Sequence, residues 1–98
     1  MTVTLEDIEN QVKSNFLIRA AMGRAVTQLK KAEREVGKDV LKTILLGKRK
    51  LTPEEYSVAA TKFGSSGLES IERMEHLTTP QKQYLFKQMG YDVAEVTL

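Results

Sequence analysis

Residues 15–37, NFLIRAAMGRAVTQLKKAEREVG, carry the most regular apolar pattern in this sequence. The apolar side chains recur at alternating steps of four and three positions, at Ile18, Met22, Ala25, Leu29, Ala32 and Val36. Because an α-helix turns by about 100° per residue, these steps place all of them on one side of a helix. The pattern predicts a helix over residues 15–36 with a single apolar seam, followed by Gly37 as a typical C-terminal cap.

A shorter helix is predicted upstream of this stretch. Thr4 and Asp7 match the spacing of a capping box, and apolar residues then follow at helical intervals over residues 5–12. The pattern loses its register at Ser14 and Asn15. We therefore expect a kink or a break between two helices at that point.

Downstream, residues 38–47 (KDVLKTILLG) form a short apolar segment. Its buried rows would be Val40 with Leu41 and Ile44 with Leu45, which favours a short helix that ends at Gly47. The β-branched residues of the segment would also suit a strand. Residues 47–50, GKRK, are predicted to form a loop.

Two threonine–proline pairs indicate further helix starts. In residues 51–55 (LTPEE), Thr52 can cap, Pro53 fits the first helical position and Glu55 closes a capping box. This helix is predicted to end at Gly64, with residues 64–67 (GSSG) as a flexible turn before a further helix.

The second pair lies in residues 78–81 (TTPQ), where we predict Thr79 as the cap and Pro80 as the first helical residue. Gly90 is typical of the end of this helix, and Tyr91 is then placed for the apolar contact that accompanies a glycine cap.

These signals predict an all-α fold, a compact domain of five or six helices over residues 1–98 with flexible ends at 1–4 and 92–98. The apolar fraction of 41% is enough for a small core. The chain has no cysteine, which excludes disulfides, a thiolate zinc site and a cysteine nucleophile. No apolar run is long enough for a membrane span, and the acidic N-terminus does not resemble a signal peptide. We expect a soluble, cytoplasmic protein.

Catalytic and metal sites find little support in the sequence. His76 is the only histidine, and with Glu72 four positions earlier it could supply two metal ligands from one helix turn. A complete site would need ligands from another helix, and the acids at 69, 72 and 75 are typical of a solvated face. No glycine-rich phosphate-binding loop is present. We predict no enzyme activity, no cofactor and no metal site.

Charge is distributed unevenly along the chain. Residues 10–50 hold eleven cations and three acids, giving +8, whereas residues 1–9 and 51–98 each give −3. This asymmetry favours an anionic partner, a nucleic acid or an acidic protein surface. The alternative is that folding mixes these cations with acids from elsewhere in the chain.

Residues 27–64 (TQLKKAEREVGKDVLKTILLGKRKLTPEEYSVAATKFG) resemble helix-turn-helix DNA-binding domains of the phage-repressor type. The matching residues are Thr27, Gln28, Ala32, Gly37, Gly47, Lys48, Arg49, Leu51, Thr52 and Gly64. The spacing from Ala32 to Gly37 is one position longer than in that pattern, and residues 38–46 are short and apolar for a recognition helix. The resemblance implies that Asp39 and Thr43 would be the polar base readers.

The sequence therefore predicts a small DNA-binding or transcription-regulatory protein of phage or plasmid type, whose basic segment is residues 13–50. The candidate contacts to nucleic acid or another anionic partner are Arg24, Lys31, Arg34, Lys38, Lys42, Lys48, Arg49 and Lys50. The alternative is a non-enzymatic protein-binding inhibitor or adaptor whose basic face docks on a partner, and a structural role is a third. A homodimer through the Ile18–Val36 seam or the C-terminal tail would suit the first two classes.

Overall fold

A computed structural model describes residues 2–47 and 49–96 of the chain. Within these ranges the chain is all-α, as predicted, and forms no strand. The helices are α1 (Leu5–Ser14), α2 (Phe16–Val36), α3 (Lys38–Leu46), α4 (Pro53–Arg73) and α5 (Thr79–Gln88). Short 3-10 turns follow at Met74–His76 and Val93–Glu95. Lys48 and the end residues Met1, Thr97 and Leu98 lie outside the described residues.

The helices divide into two units. Unit 1 comprises residues 1–28 and 77–98, and unit 2 comprises residues 29–76. The single domain over 1–98 stays a prediction.

Unit 1 contains α1, the first part of α2, and α5. The α1 helix packs against α5, and Lys87 donates to Glu9 between them at 2.9 Å. The capping box at Thr4 is confirmed. So is the helix break, because the Oδ1 atom of Asn15 accepts the Leu17 N–H at 3.0 Å and starts a new helix.

The end of α5 shows why Tyr91 is placed where the sequence predicted. The Tyr91 N–H donates to the Phe86 carbonyl at 2.9 Å, and the Gly90 N–H donates to Lys87 at 3.1 Å. These two bonds form the Schellman motif, and the Phe86 and Tyr91 rings meet at 5.3 Å between centroids. The following segment also packs on the chain, since Val96 is fully buried.

Unit 2 contains the end of α2, α3, the loop and α4. The choice between helix and strand for residues 38–46 is resolved as helix, with Leu41, Ile44 and Leu45 buried. Gly47 ends this helix in the left-handed conformation and donates its N–H to the Thr43 carbonyl. The capping box of Thr52 and Glu55 at the start of α4 is confirmed.

Two predicted boundaries are wrong. Gly64 has φ 71° and ψ 168°, which breaks the helical geometry, but the residues after it are helical, so GSSG is a kink inside α4 and not a flexible turn. Phe63 packs closely on Gly67 beside this kink. A Cβ added at Gly67 would lie 3.0 Å from the Cβ atom of Phe63. For α5 the cap is Thr78 and not Thr79, because Thr78 exchanges both capping-box bonds with Gln81.

Candidate anion-binding surface and groove

The basic helix face, as we call Lys30, Lys31 and Arg34, lies on the part of α2 that belongs to unit 2. All three side chains are exposed, whereas Leu29 and Ala32 beside them are fully buried. At about 100° per residue the three cations lie on the side of the helix opposite this buried pair. Their span along the helix axis is about 6 Å.

The cations of the chain differ in whether they meet a carboxylate among the described residues. Among the described residues, no carboxylate oxygen lies within 4.0 Å of Lys30, Lys31 or Arg34. Other cations of the chain are paired, namely Arg49 with Glu55, Lys62 with Glu35, Arg73 with Glu69, and Lys87 with Glu9. The structure thus leaves this part of the predicted basic segment uncompensated.

In the loop before α4, Arg49 has a carboxylate partner, in contrast to the cations of the basic helix face. Arg49 donates to both carboxylate oxygens of Glu55, at 2.8 and 3.0 Å. The hydrogen bond from Arg49, helped by the Thr52 N–H, lowers the pKa of Glu55 to about 2. Since its guanidinium is already bound to a carboxylate, Arg49 is a weaker candidate for a phosphate than the sequence indicated.

A groove of about 870 Å³ opens beside this loop within unit 2. The loop and the start of α4 contribute Arg49, Lys50, Leu51 and Tyr56 to its lining. The end of α4 and the turn after it contribute Glu69, Glu72, Arg73, Glu75 and His76. The groove therefore combines charges of both signs with an aromatic ring, and Tyr56 is 51% exposed.

In the groove lining, the Glu75 carboxylate lies close to Gly47. A Cβ built on Gly47 would lie 2.6 Å from the Oε1 atom of Glu75, which is closer than real side chains approach. The absence of a side chain at Gly47 therefore lets the carboxylate lie against the loop backbone. The acidic row at 69, 72 and 75, predicted to be a solvated face, thus lies along the groove.

The groove lining includes only two of the predicted contact residues that the structure describes. Arg49 and Lys50 line the groove, whereas Lys31 and Arg34 on α2 and Lys38 and Lys42 on α3 are outside its lining. Arg24 is exposed in unit 1, and Lys48 lies outside the described residues. Lys38 and Lys42 each take part in an electrostatic or hydrogen-bonding interaction, so they are not free cations.

The elements of the helix-turn-helix interpretation are also placed by the structure. Thr27 and Gln28 lie inside α2, and Gly37 alone connects α2 to α3. The Thr43 hydroxyl donates to the Asp39 carbonyl at 2.8 Å, so its proton is used within its own helix. The helix-turn-helix resemblance stays a prediction.

The predicted dimer surfaces are buried only in part, since Ile18, Met22, Ala25 and Val36 of the seam keep intermediate exposure. Leu29 and Ala32 in the centre of the seam are fully buried, and so is Val96 in the C-terminal segment. Homodimerisation through these residues stays a prediction.

Sequence reasoning missed the exposed apolar side chains. Phe16 and Leu17 at the start of α2 are 70% and 75% exposed, and Tyr56 and Val58 are each about half exposed. A signal was present for the first two, because neither falls in the Ile18–Val36 seam. For Tyr56 no such signal exists, because its spacing of three from the buried Ala59 is typical of one helix face.

Comparison with protein-family models, curated proteins and solved structures found no match to this chain. Over residues 2–47 and 49–96, no helix is both long and apolar enough to cross a membrane. The same part of the chain holds no group of three or more histidine or carboxylate side chains arranged to bind a metal ion. The function must therefore be argued from the surfaces themselves.

Proposed function

We propose that this protein is a small DNA-binding regulatory protein that contacts backbone phosphates through Lys30, Lys31 and Arg34. The observation that carries the proposal is that these exposed cations lack a carboxylate partner among the described residues, whereas the loop arginine has one. Three like charges on one face of a helix repel one another, and a bound polyanion relieves that repulsion.

The dimensions of the basic helix face fit a phosphate backbone. Duplex DNA carries one phosphate per strand for about every 3.4 Å of its axis, so a span of about 6 Å faces about two phosphates of one strand. Phosphate contacts position a protein on DNA and do not read its sequence. Because the Thr43 hydroxyl is bonded within α3, we assign the affinity to phosphate contacts and not to base readout by Asp39 and Thr43.

The test is the affinity for a short fluorescein-labelled DNA duplex, measured by fluorescence anisotropy at low ionic strength. The variant Lys30→Ala/Lys31→Ala/Arg34→Ala removes the basic helix face. Its matched control is Lys62→Ala/Arg73→Ala/Lys87→Ala, which removes three exposed cations that have carboxylate partners. Both variants change the formal net charge from +2 to −1.

We expect the first variant to lose most of its affinity and the control to lose little. Equal losses in the two variants would mean that net charge alone attracts the DNA. If the unmutated protein shows no salt-dependent binding to DNA at low ionic strength, the proposed function is wrong.

A second candidate function, a protein-binding inhibitor or adaptor, is favoured by the groove. Half-exposed Tyr56 beside walls of both charge signs offers an aromatic anchor and polar contacts, as protein interfaces do. Tyr56→Ala should then abolish the capture of a host-lysate protein that the unmutated chain retains. The control is Val58→Ala, which removes an equally exposed side chain of α4 outside the groove lining. Loss of capture in both variants, or in neither, would contradict this candidate.

A further inference from the structure

The start of α2 exposes the two most accessible large apolar side chains among the described residues. Phe16 is 70% exposed and Leu17 is 75% exposed, and they are adjacent in unit 1. Single exposed apolar residues are ordinary, but two adjoining ones at a helix start form a surface that can take a ligand.

The charged residues nearest to this apolar pair along the chain are all of one sign. Residues 10–28 contain Lys13, Arg19 and Arg24 and no carboxylate, and all three cations are exposed. The guanidinium carbon of Arg19 lies 5.8 Å from the centroid of the Phe16 ring. Charge complementarity therefore requires an occupant that is anionic beside an apolar or aromatic face.

The α2 surface beside Phe16 has open space at Gly23. Phe16, Ala20 and Gly23 follow at steps of four and three, so they share one side of the helix, with Arg19 and Arg24 on either side of this row. A Cβ added at Gly23 would meet nothing within 4 Å in the described part of the chain. Glycine is unfavourable inside a helix, and no neighbour among the described residues uses the space that it leaves.

Two other occupants fit this surface less well. A second copy in a symmetric dimer would bring the same patch against itself and place both sets of cations together, which is repulsive. A lipid surface is bound by helices with a wide apolar face, whereas the exposed large apolar residues of α2 are Phe16 and Leu17 alone among the described residues.

We infer that Phe16 stacks on an unpaired base of single-stranded nucleic acid while Arg19 and Arg24 bind the adjoining phosphates. The inference rests on the proposed function, because it takes nucleic acid as the partner. Aromatic side chains in a basic setting bind single strands by this combination, and stacking does not depend on the identity of the base. Loss of one such stack lowers affinity by roughly 5- to 150-fold.

The chain contains no tryptophan, which makes Phe16→Trp a single fluorescent reporter at this position. Short oligo(dT) is titrated into this variant, in parallel with a DNA duplex of equal length. Stacking of a base on the indole should quench its emission, and the duplex, whose bases are paired, should quench it far less. Quenching by the duplex equal to that by oligo(dT) would overturn the inference.

Affinity for oligo(dT) gives the second readout. Phe16→Ala should weaken binding roughly 5- to 150-fold, whereas Phe16→Tyr, which keeps an aromatic ring, should bind as the unmutated protein does. Val58→Ala, an exposed apolar residue in unit 2, is the control. Circular dichroism establishes that each variant is folded.

The possible failures are distinct. If oligo(dT) binds to the Phe16→Trp variant without quenching, or if Phe16→Ala leaves its affinity unchanged, the inference is wrong and the proposed function stands. If neither oligo(dT) nor duplex binds, the proposed function fails as well. A blue shift of the emission with anionic phosphatidylserine vesicles, without quenching by oligo(dT), would identify a lipid surface and overturn the inference.

Discussion

Arg49 and Glu55 are joined by two parallel hydrogen bonds, from Nη1 to Oε1 at 2.8 Å and from Nη2 to Oε2 at 3.0 Å. The same carboxylate accepts the Thr52 N–H at 3.0 Å, so it both caps α4 and holds the loop before it. The most conspicuous run of cations in the sequence thus contributes at least one residue to the fold. The cations of α2 that meet no carboxylate among the described residues become the better candidates for an anionic partner.

This pair gives a pH dependence of stability. The pKa of Glu55 in the folded chain is lowered to about 2, so ionised Glu55 stabilises the fold above its ordinary pKa, and this contribution is lost as the pH falls from about 4.5 towards about 2. Glu55→Gln cannot ionise and should therefore be less stable than the unmutated protein at pH 6, with the difference vanishing near pH 2. Urea denaturation at several pH values measures this difference in the free energy of unfolding.

The control for this prediction is Glu69→Gln, whose partner Arg73 lies at 3.9 Å in a highly exposed pair. Such pairs contribute little, so we expect no comparable dependence on pH. A constant difference between Glu55→Gln and the unmutated protein from pH 6 to pH 2 would contradict the assignment.

Arg49 and Arg34 should separate stability from DNA affinity. Arg49→Ala breaks the link to Glu55 and is expected to lower the urea midpoint while changing duplex affinity little. Arg34→Ala removes an exposed cation that has no carboxylate partner among the described residues. It should lower duplex affinity while changing the urea midpoint little. Fluorescence anisotropy measures the duplex affinity of both variants, and urea denaturation measures their stability. A larger loss of affinity in Arg49→Ala than in Arg34→Ala would refute this prediction.

Thr52 is expected to stabilise α4 as its N-terminal cap. Its hydroxyl accepts the Glu55 N–H at 3.2 Å, and Thr52→Ala should lower the free energy of unfolding by about 1 kcal/mol. Thr61→Ala is a matched control, because its hydroxyl donates to the Ser57 carbonyl inside the same helix and caps nothing. The outcome at odds with this assignment is an equal loss in both variants.

Replacing Gly47 and Gly23 by alanine should have opposite effects on the free energy of unfolding. Gly47 has φ 60° and its added Cβ would meet Glu75, so Gly47→Ala should destabilise by at least about 1–2 kcal/mol. Gly23 lies within α2 with open space around it, and Gly23→Ala should stabilise by about 0.5–1 kcal/mol. Thermal or urea unfolding of the two variants tests the pair, and destabilisation by Gly23→Ala would mean that something packs there.

The helices were largely predictable because their signals are local. The caps at Thr4 and Thr52, the break at Asn15 and the end at Gly47 each depend on residues within four positions of one another. The errors have local causes too. Thr78 and Thr79 are equivalent in sequence until Gln81 selects one, and Gly64 can end a helix or bend it.

The candidate anion-binding residues were less predictable, because they depend on which cations pair with carboxylates in the folded chain. Counting charges along residues 10–50 treats Arg49 and Lys31 alike, yet only Arg49 meets a carboxylate among the described residues. The helical period did place Lys31 and Arg34 opposite the seam. It could not show which cations would be neutralised, since the acids Glu55 and Glu35 pair with cations on other segments.

The most direct test of the central claim is the salt dependence of duplex affinity for the unmutated protein and for Lys30→Ala/Lys31→Ala/Arg34→Ala. Each phosphate that the protein neutralises contributes about 0.9 to the slope of log affinity against log salt concentration. We predict that the variant flattens this slope by about 1.8, which corresponds to two phosphates, whereas Lys62→Ala/Arg73→Ala/Lys87→Ala leaves it nearly unchanged. Equal slopes for the unmutated protein and the α2 variant would contradict the claim that these three cations bind phosphates.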